Sequence, residues 1–73
     1  MSWLEIVKEF LEEAPKEEYS APEIVDTMFP ELSSYRRTFV INKVTQALNQ
    51  GCRWGYFEKL GLKDHRRYWR ILK

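Results

Sequence analysis

The first segment of the chain has apolar residues at the spacing of an amphipathic helix. They recur at intervals of three and four, so they share one helical face. The residues of this stripe are Leu4, Ile6, Val7, Phe10 and Leu11. Ser2 is placed to cap the first turn, Glu5 to complete a capping box, and Ala14-Pro15 to end the segment. The pattern predicts a first helix over Trp3–Glu13.

A second, shorter helix is predicted over residues 21–29. Ser20 is a typical N-cap, Pro22 suits the first turn, and Glu23 stands where a capping box needs an acid. Pro30 follows and ends the helix. The apolar residues that face inward are Ile24, Val25, Met28 and Phe29.

The longest predicted helix begins after Ser33 or Ser34 and runs to about Gln50. Its apolar stripe consists of Val40, Ile41, Val44, Ala47 and Leu48. At 3.6 residues per turn, the opposite face carries Tyr35, Phe39, Asn42, Gln46 and Asn49. Gly51 follows at the position where a left-handed glycine commonly ends a helix.

The pattern changes after Gly51. Residues 53–60 and 67–72 are rich in aromatic and β-branched side chains, which is typical of strands. Phe57, Trp69 and Ile71 fit a shared inward face, and residues 61–66 form a polar, basic hairpin tip. A third short strand is expected at residues 18–19. The sequence thus predicts one α+β domain over residues 1–73, with three helices followed by a two-stranded hairpin.

Charge divides the chain into two parts. Residues 1–31 contain nine acids and two bases, a net charge of −7. Residues 32–73 contain ten bases and two acids, a net charge of +8, so the total of +1 conceals the division. Such a molecule attracts a polyanion at one end and repels it at the other. The division therefore predicts oriented binding to a nucleic acid.

Several functional classes are disfavoured by composition. One cysteine, Cys52, allows no intramolecular disulfide and no multi-cysteine zinc site. His65 is the one histidine, and no ligand-spaced partner accompanies it, so we expect no metal and no cofactor. No acid–base pair or phosphate-binding glycine loop indicates an enzyme. We expect an intracellular domain with no membrane segment, in the cytoplasm or nucleoid, or in the nucleus of a eukaryote.

Three helices followed by a basic hairpin resemble the winged helix-turn-helix domain. Two stretches carry the likeness, Ser20-Ala21-Pro22-Glu23-Ile24-Val25 and Lys63-Asp64-His65-Arg66-Arg67-Tyr68-Trp69-Arg70-Ile71-Leu72. The second is similar to the wing of the MarR and PadR repressor families, where an Asp-x-Arg-Arg tip leads into an aromatic-rich strand. The resemblance implies that helix 34–50 enters the DNA major groove. It also implies that the wing, residues 60–67, contacts the backbone or minor groove.

Eight cations are candidate phosphate contacts: Arg36, Arg37, Lys43, Arg53, Lys59, Lys63, Arg66 and Arg67. The alternative is that they are ordinary solvated charges, some of them paired with acids of the first two helices. Arg37 needs separate treatment because its helical phase points toward the apolar stripe. Either its long side chain extends past the core or it pairs with an acid of the first or second helix.

Polar side chains on the third helix are candidate base contacts. Asn and Gln recognise adenine through N6 and N7, which favours Asn42, Gln46 and Asn49. Thr38 and Thr45 lie at the edge of this face and suit thymine methyls or phosphates, and His65 suits a phosphate. The alternative is a helix face that is polar only because it is solvated.

Tyr35 and Phe39 lie one turn apart on the face opposite the core stripe. We expect residues 30–34 to cover them. If they are exposed instead, the pair indicates contact with sugar, with a thymine methyl or with another protein. Tyr35 is therefore included among the candidate DNA contacts.

The sequence favours a double-stranded DNA-binding protein, specifically a transcription regulator. The alternative is a protein–protein interaction module that uses Tyr35, Phe39 and Trp3, and RNA binding is a further alternative. One small domain contacts only one half-site of DNA, so a homodimer is a further possibility. A partner protein bound through helix 3–13 is the other.

Overall fold

A computed structural model describes residues 2–72 and has an α+β fold, in which three helices pack on a small antiparallel sheet. The elements in chain order are α1 (Trp3–Glu13), β1 (Tyr19–Ser20), α2 (Ala21–Met28), α3 (Ser34–Arg53), β2 (Phe57–Lys63) and β3 (Arg66–Ile71). The three predicted helices and the two predicted hairpin strands are confirmed as elements. Their ends differ from the prediction at several places described below.

Serine side chains fix the starts of all three helices. Ser2 Oγ accepts a hydrogen bond from the Glu5 backbone N–H at 3.2 Å, as predicted for α1. Ser20 and Glu23 form the complete capping box predicted for α2. Ser33 is the N-cap of α3, which decides between the two serines proposed. These caps satisfy backbone donors that would otherwise have no partner in the first turn.

The sheet has the strand order β1-β3-β2, with both neighbouring pairs antiparallel. β1 lies one residue later than the predicted strand at 18–19, because Tyr19 pairs with Trp69. In the hairpin, Phe57 pairs with Ile71 and Lys59 pairs with Trp69. Directly opposed residues share a face, so these four side chains lie on the side of the sheet that packs on the helices.

The hairpin turn is shorter than predicted. Lys63 pairs with Arg66, so only Asp64 and His65 form the turn, and both have positive φ (50° and 65°). This is the geometry of a two-residue turn whose twist matches that of the strands. The prediction of a tip over residues 61–66 is therefore wrong at both ends, since residues 61–63 belong to β2 and Arg66 begins β3.

The buried core joins all three helices to the sheet. Its residues are Val7, Leu11, Tyr19, Ala21, Ile24, Val25, Val44, Ala47, Leu48, Phe57 and Trp69. Phe29 caps α2 at its C-terminus, and the Trp3 ring meets it edge-on, with centroids 6.4 Å apart. Trp3 is thus half-buried within the domain rather than fully available to a partner.

The prediction that Gly51 ends the third helix is wrong. The helix continues to Arg53, and the residue with a left-handed backbone is Gly55, at φ 83°. Gly51 is buried, and a Cβ built on it would lie 2.2 Å from two ring atoms of Phe57. The glycine therefore serves a close contact between α3 and β2, and residues 53–56, predicted as strand, form the end of the helix and a turn.

Replacing Gly51 with alanine should destabilise the fold. Alanine favours a helix over glycine by about 1 kcal/mol. The Phe57 ring, however, is buried in the core and would have to move to admit a methyl group. Overpacking of this kind costs about 1–3 kcal/mol. We expect Gly51→Ala to lower the free energy of unfolding, measured by urea denaturation.

Gly61→Ala is the matched control. Gly61 lies in the exposed part of β2, and a Cβ there meets no atom within 4 Å. We expect its free energy of unfolding to stay close to that of the wild type. Equal or higher stability of Gly51→Ala would contradict the packing role given to Gly51.

Candidate nucleic-acid interface

One face of α3 is exposed along most of its length, and Asn49 is its one half-buried residue. The side chains on this face recur at intervals of three and four, opposite the buried stripe that contains Val44 and Leu48. We name them the outer stripe of α3: Tyr35, Phe39, Asn42, Gln46, Asn49 and Arg53. The 20-residue helix carries four cations and no acid. Its outer stripe is aromatic in the N-terminal half and amide-rich and basic in the C-terminal half.

The prediction that residues 30–34 cover the aromatic pair is wrong. Tyr35 is 88% exposed and Phe39 is 57% exposed. Leu32, from the preceding turn, lies beside the pair and helps to line a shallow groove of about 440 Å³ with Arg36 and Val40. The turn runs along the edge of the pair instead of over it, so both rings stay accessible.

A cleft lies between the C-terminal half of α3 and strand β2. Its volume is about 650 Å³, and it is lined by Gln46, Asn49, Gln50, Cys52, Arg53 and Lys59. Lys59 reaches the cleft because it pairs with Trp69 on the helix-facing side of the sheet. Its Nζ stands 5.6 Å from the centre of the Trp69 ring. Three amides and two cations thus converge, and no carboxylate is among these lining residues.

The pKa of the Cys52 thiol is affected by the positive charge in this cleft. Burial raises the pKa of Cys52, and the nearby Lys59 charge partly opposes that rise. The side chain is half-buried and packs against the core as a small apolar residue. Cys52 therefore contributes a small apolar side chain to the lining of the cleft, near Lys59.

The hairpin cations lie on two different sides. A bulge between Lys59 and Leu62 shifts the register, so that Leu62 pairs with Arg67 and Lys63 pairs with Arg66. Alternation along β3 therefore sets Arg67 on the helix-facing side with Trp69, and Lys63 and Arg66 on the opposite side. Lys59 and Arg67 share the side that is continuous with the cleft.

Two candidate cations are engaged by acids of the N-terminal half. The Arg37 guanidinium makes two hydrogen bonds to the Asp26 carboxylate, at 2.7 and 2.9 Å. Lys63 forms an ion pair with Glu18, which raises the pKa of Lys63. For Arg37 this decides between the two roles proposed, in favour of pairing with α2. Both pairs join the acidic and basic parts of the chain, so the charge division is partly neutralised there.

The other six candidate cations form no ion pair within the described residues, although the charge of Arg66 contributes to the lowered pKa of Asp26. Among residues 2–72, no carboxylate lies within ion-pairing distance of Arg36, Lys43, Arg53, Lys59, Arg66 or Arg67. Lys43 Nζ stands 5.4 Å from the centre of the Phe39 ring, beside the outer stripe. Arg67 donates a hydrogen bond to the Leu60 carbonyl at 2.8 Å, which orients its guanidinium. His65 is exposed in the hairpin turn.

The two threonines at the edge of the stripe are bonded to the helix itself. Thr38 Oγ1 donates to the Ser34 carbonyl at 3.2 Å, and Thr45 Oγ1 donates to the Ile41 carbonyl at 2.8 Å. Such bonds use the hydroxyl proton within the helix. The methyl groups and oxygen lone pairs are then what these side chains offer to a ligand.

Sequence reasoning missed part of the cleft. Gln50 lines it but was not among the candidate residues, and Arg53 belongs to the helical stripe rather than to a strand. The signal was present, since continuing the helical phase through Gly51 places Arg53 four residues after Asn49, on the same face. Treating the glycine as a helix end concealed it.

Known family models, curated proteins and solved structures give no match to this chain. Within residues 2–72, no helix is long and apolar enough to cross a membrane. The same part of the chain holds no group of three or more His, Cys, Asp or Glu side chains suited to a metal ion. What the interface binds is therefore inferred from its geometry and charge alone.

The ion pair between Asp26 and Arg37 should be visible in the titration of Asp26. The hydrogen bonds from Arg37 hold the pKa of that carboxyl below its ordinary value. Because the folded-state pKa is depressed, the pair stabilises the fold above the unfolded-state pKa and loses this effect as the pH falls through the folded-state pKa. We expect Arg37→Met to raise the Asp26 pKa toward its ordinary value, measured by carboxyl-detected NMR.

Arg36→Met is the control, since it removes the neighbouring guanidinium, which makes no ion pair among the described residues. It should leave the Asp26 pKa nearly unchanged. An equal shift in both variants would show that general charge, not the specific pair, sets the titration, and would contradict the assignment of Arg37.

Proposed function

We propose that this protein binds double-stranded DNA through the outer stripe of α3 and the adjoining cleft, and acts as a transcription regulator of the winged-helix type. The winged-helix hypothesis is supported by the element order α1-β1-α2-α3-β2-β3 and by the sheet order β1-β3-β2. In this proposal α3 lies in the major groove, and the β2–β3 hairpin lies against the backbone or in the minor groove.

The observation that carries the proposal is the composition of the cleft between α3 and β2. The amides of Gln46, Asn49 and Gln50 stand beside the cations of Arg53 and Lys59. Amides make paired hydrogen bonds to base edges, and cations neutralise phosphates. A binding surface for a small apolar ligand would instead need an enclosed apolar cavity. The proposal assigns Gln46 and Asn49, together with Asn42, to base contact and the cations to the backbone.

The distribution of the remaining charge supports one orientation of the DNA. The exposed face of α1 carries four glutamates, Glu5, Glu9, Glu12 and Glu13. α1 packs against the opposite, buried side of α3, so its glutamates lie away from the outer stripe. Repulsion by α1 and attraction by α3 both direct a polyanion to the side of the molecule that carries the outer stripe. The N-terminal half thus acts in the proposal as an electrostatic guide.

Neutralising the two cleft cations should weaken binding in a salt-dependent way. Each phosphate contact contributes roughly 0.9 to the slope of log affinity against log salt concentration. We expect the double variant Arg53→Gln, Lys59→Gln to lose affinity similarly on all duplex sequences and to reduce the slope by roughly 1.8. A mobility-shift or fluorescence-anisotropy titration of a 16-bp duplex across a salt series measures both quantities.

Arg70→Gln is the matched control. Arg70 is also a hairpin cation, but it points to the opposite side of the sheet from Lys59, where it forms an ion pair with Glu58. We expect its loss to leave the salt slope unchanged. If Arg70→Gln flattens the slope as much as the cleft variant does, binding is diffuse and the proposed interface is wrong.

A protein-interaction module is the second candidate, because the exposed Tyr35 and Phe39 would suit a partner protein. Trp3, the third residue of that candidate surface, contacts Phe29 and is half-buried, which leaves the aromatic pair to carry the candidate alone. Absence of any duplex binding at low salt, with the fold intact, would favour this candidate.

A further inference from the structure

The aromatic pair at the start of the outer stripe is the feature that phosphate and amide contacts leave unexplained. We propose that Tyr35 and Phe39 are specificity-determining residues that pack against the C5-methyl groups of thymine in the major groove. The inference rests on the proposed function and adds a preference for A·T-containing sites, with the aromatic half of the stripe reading thymine and the amide half reading adenine.

The aromatic pair is continuous with the amide part of the outer stripe. Tyr35, Phe39 and Asn42 follow one another at intervals of four and three on a single helical face, with no break before Gln46. A duplex that contacts the amides through the major groove therefore passes the aromatic rings as well. The N-terminal residues of such a recognition helix are the ones that commonly reach base edges.

Both rings of the pair are accessible to a ligand. Tyr35 is 88% and Phe39 57% exposed, and the groove at their base is lined by Leu32 and Val40. The thymine methyl is the one apolar group that a base pair presents in the major groove, and apolar side chains such as Phe recognise it. An apolar patch on an otherwise polar, basic face suits a DNA duplex, which is anionic overall and presents the apolar methyl groups of thymine in its major groove.

Positive charge beside the aromatic pair limits which ligands can occupy the groove. Arg36 lines the groove and Lys43 stands over the Phe39 ring. A second copy docking symmetrically through this patch would bring the same cations against each other, which is unfavourable. An anionic occupant meets no such repulsion. The patch therefore suits DNA better than it suits self-association.

The spacing gives the inference a specific form. Phe39 and Asn42 are three residues apart, which is about 4.5 Å along the helix at 1.5 Å per residue. Successive base pairs are about 3.4 Å apart. The thymine contacted by Phe39 should thus lie one or two base pairs from the base contacted by Asn42, and Tyr35 should reach one or two base pairs further.

The test removes only the methyl group. Two 16-bp duplexes of alternating A·T sequence are compared, one with thymine and one with deoxyuridine at every T position, at equal salt. Phosphate charge and the adenine edges are the same in both. We expect the wild-type protein to bind the thymine duplex more tightly, by roughly four-fold for each methyl contacted.

Phe39→Ala and Tyr35→Ala should each lower that thymine-to-uracil affinity ratio, and the double variant should bring it close to one. Both positions are exposed, so the fold should survive, which circular dichroism and thermal unfolding check. Gln46→Ala is the matched control from the same stripe. It should weaken binding to both duplexes while leaving the ratio unchanged.

The outcomes separate this inference from the proposed function. Equal wild-type affinity for the two duplexes, with the cleft cations still required, overturns thymine reading and leaves DNA binding intact. A thymine-to-uracil ratio that keeps its wild-type value in the Tyr35 and Phe39 double variant also overturns it. No binding to either duplex overturns the proposed function itself.

Discussion

The contact between Gly51 and the Phe57 ring determines how the hairpin packs against α3. The ring occupies the space where any residue type other than glycine at position 51 would place its Cβ. The backbones of α3 and β2 therefore approach more closely than side chains normally allow. β2 starts at Phe57, only four residues after the helix ends, and the approach therefore fixes the whole hairpin beside α3. Rigid attachment of this kind matters in a small domain, because β2 is an edge strand of the sheet formed by residues 2–72.

The candidate interface depends on that approach. Lys59 lies two residues after Phe57 on the same face of β2, so the contact at Gly51 also sets Lys59 opposite Asn49 and Arg53. The ion pairs of Arg37 with Asp26 and of Lys63 with Glu18 hold two other cations on the acidic half. What remains available is a narrower surface than the ten bases of the C-terminal part suggest. It consists of the outer stripe of α3, the cleft, and the helix-facing side of the hairpin.

Much of the fold could be predicted because local signals agreed with tertiary packing. The starts of α1 and α2 could be predicted because Ser2 and Ser20 cap them through short-range hydrogen bonds. The apolar stripe of α3 was enough to predict both the buried and the exposed face of that helix. The helix end at Gly51 was predicted wrongly because the role of this glycine depends on its contact with Phe57, which no local pattern reveals. The prediction that residues 30–34 cover Tyr35 was wrong because packing sets the path of that turn. For the interface, residue types and phase identified the stripe. The pairing of Arg37 and the side on which each hairpin cation lies required the register of the sheet and the positions of Asp26 and Glu18.

The central claim is that one continuous surface, the outer stripe of α3 with the cleft and Lys59, meets duplex DNA. Mapping of backbone amide chemical shifts in an NMR titration with a 16-bp duplex tests it most directly. The account predicts that the largest changes fall on residues 35–53 and around Lys59, and that the amides of α1 stay nearly unchanged. Changes concentrated on α1, or none at any duplex concentration in low salt, would contradict it.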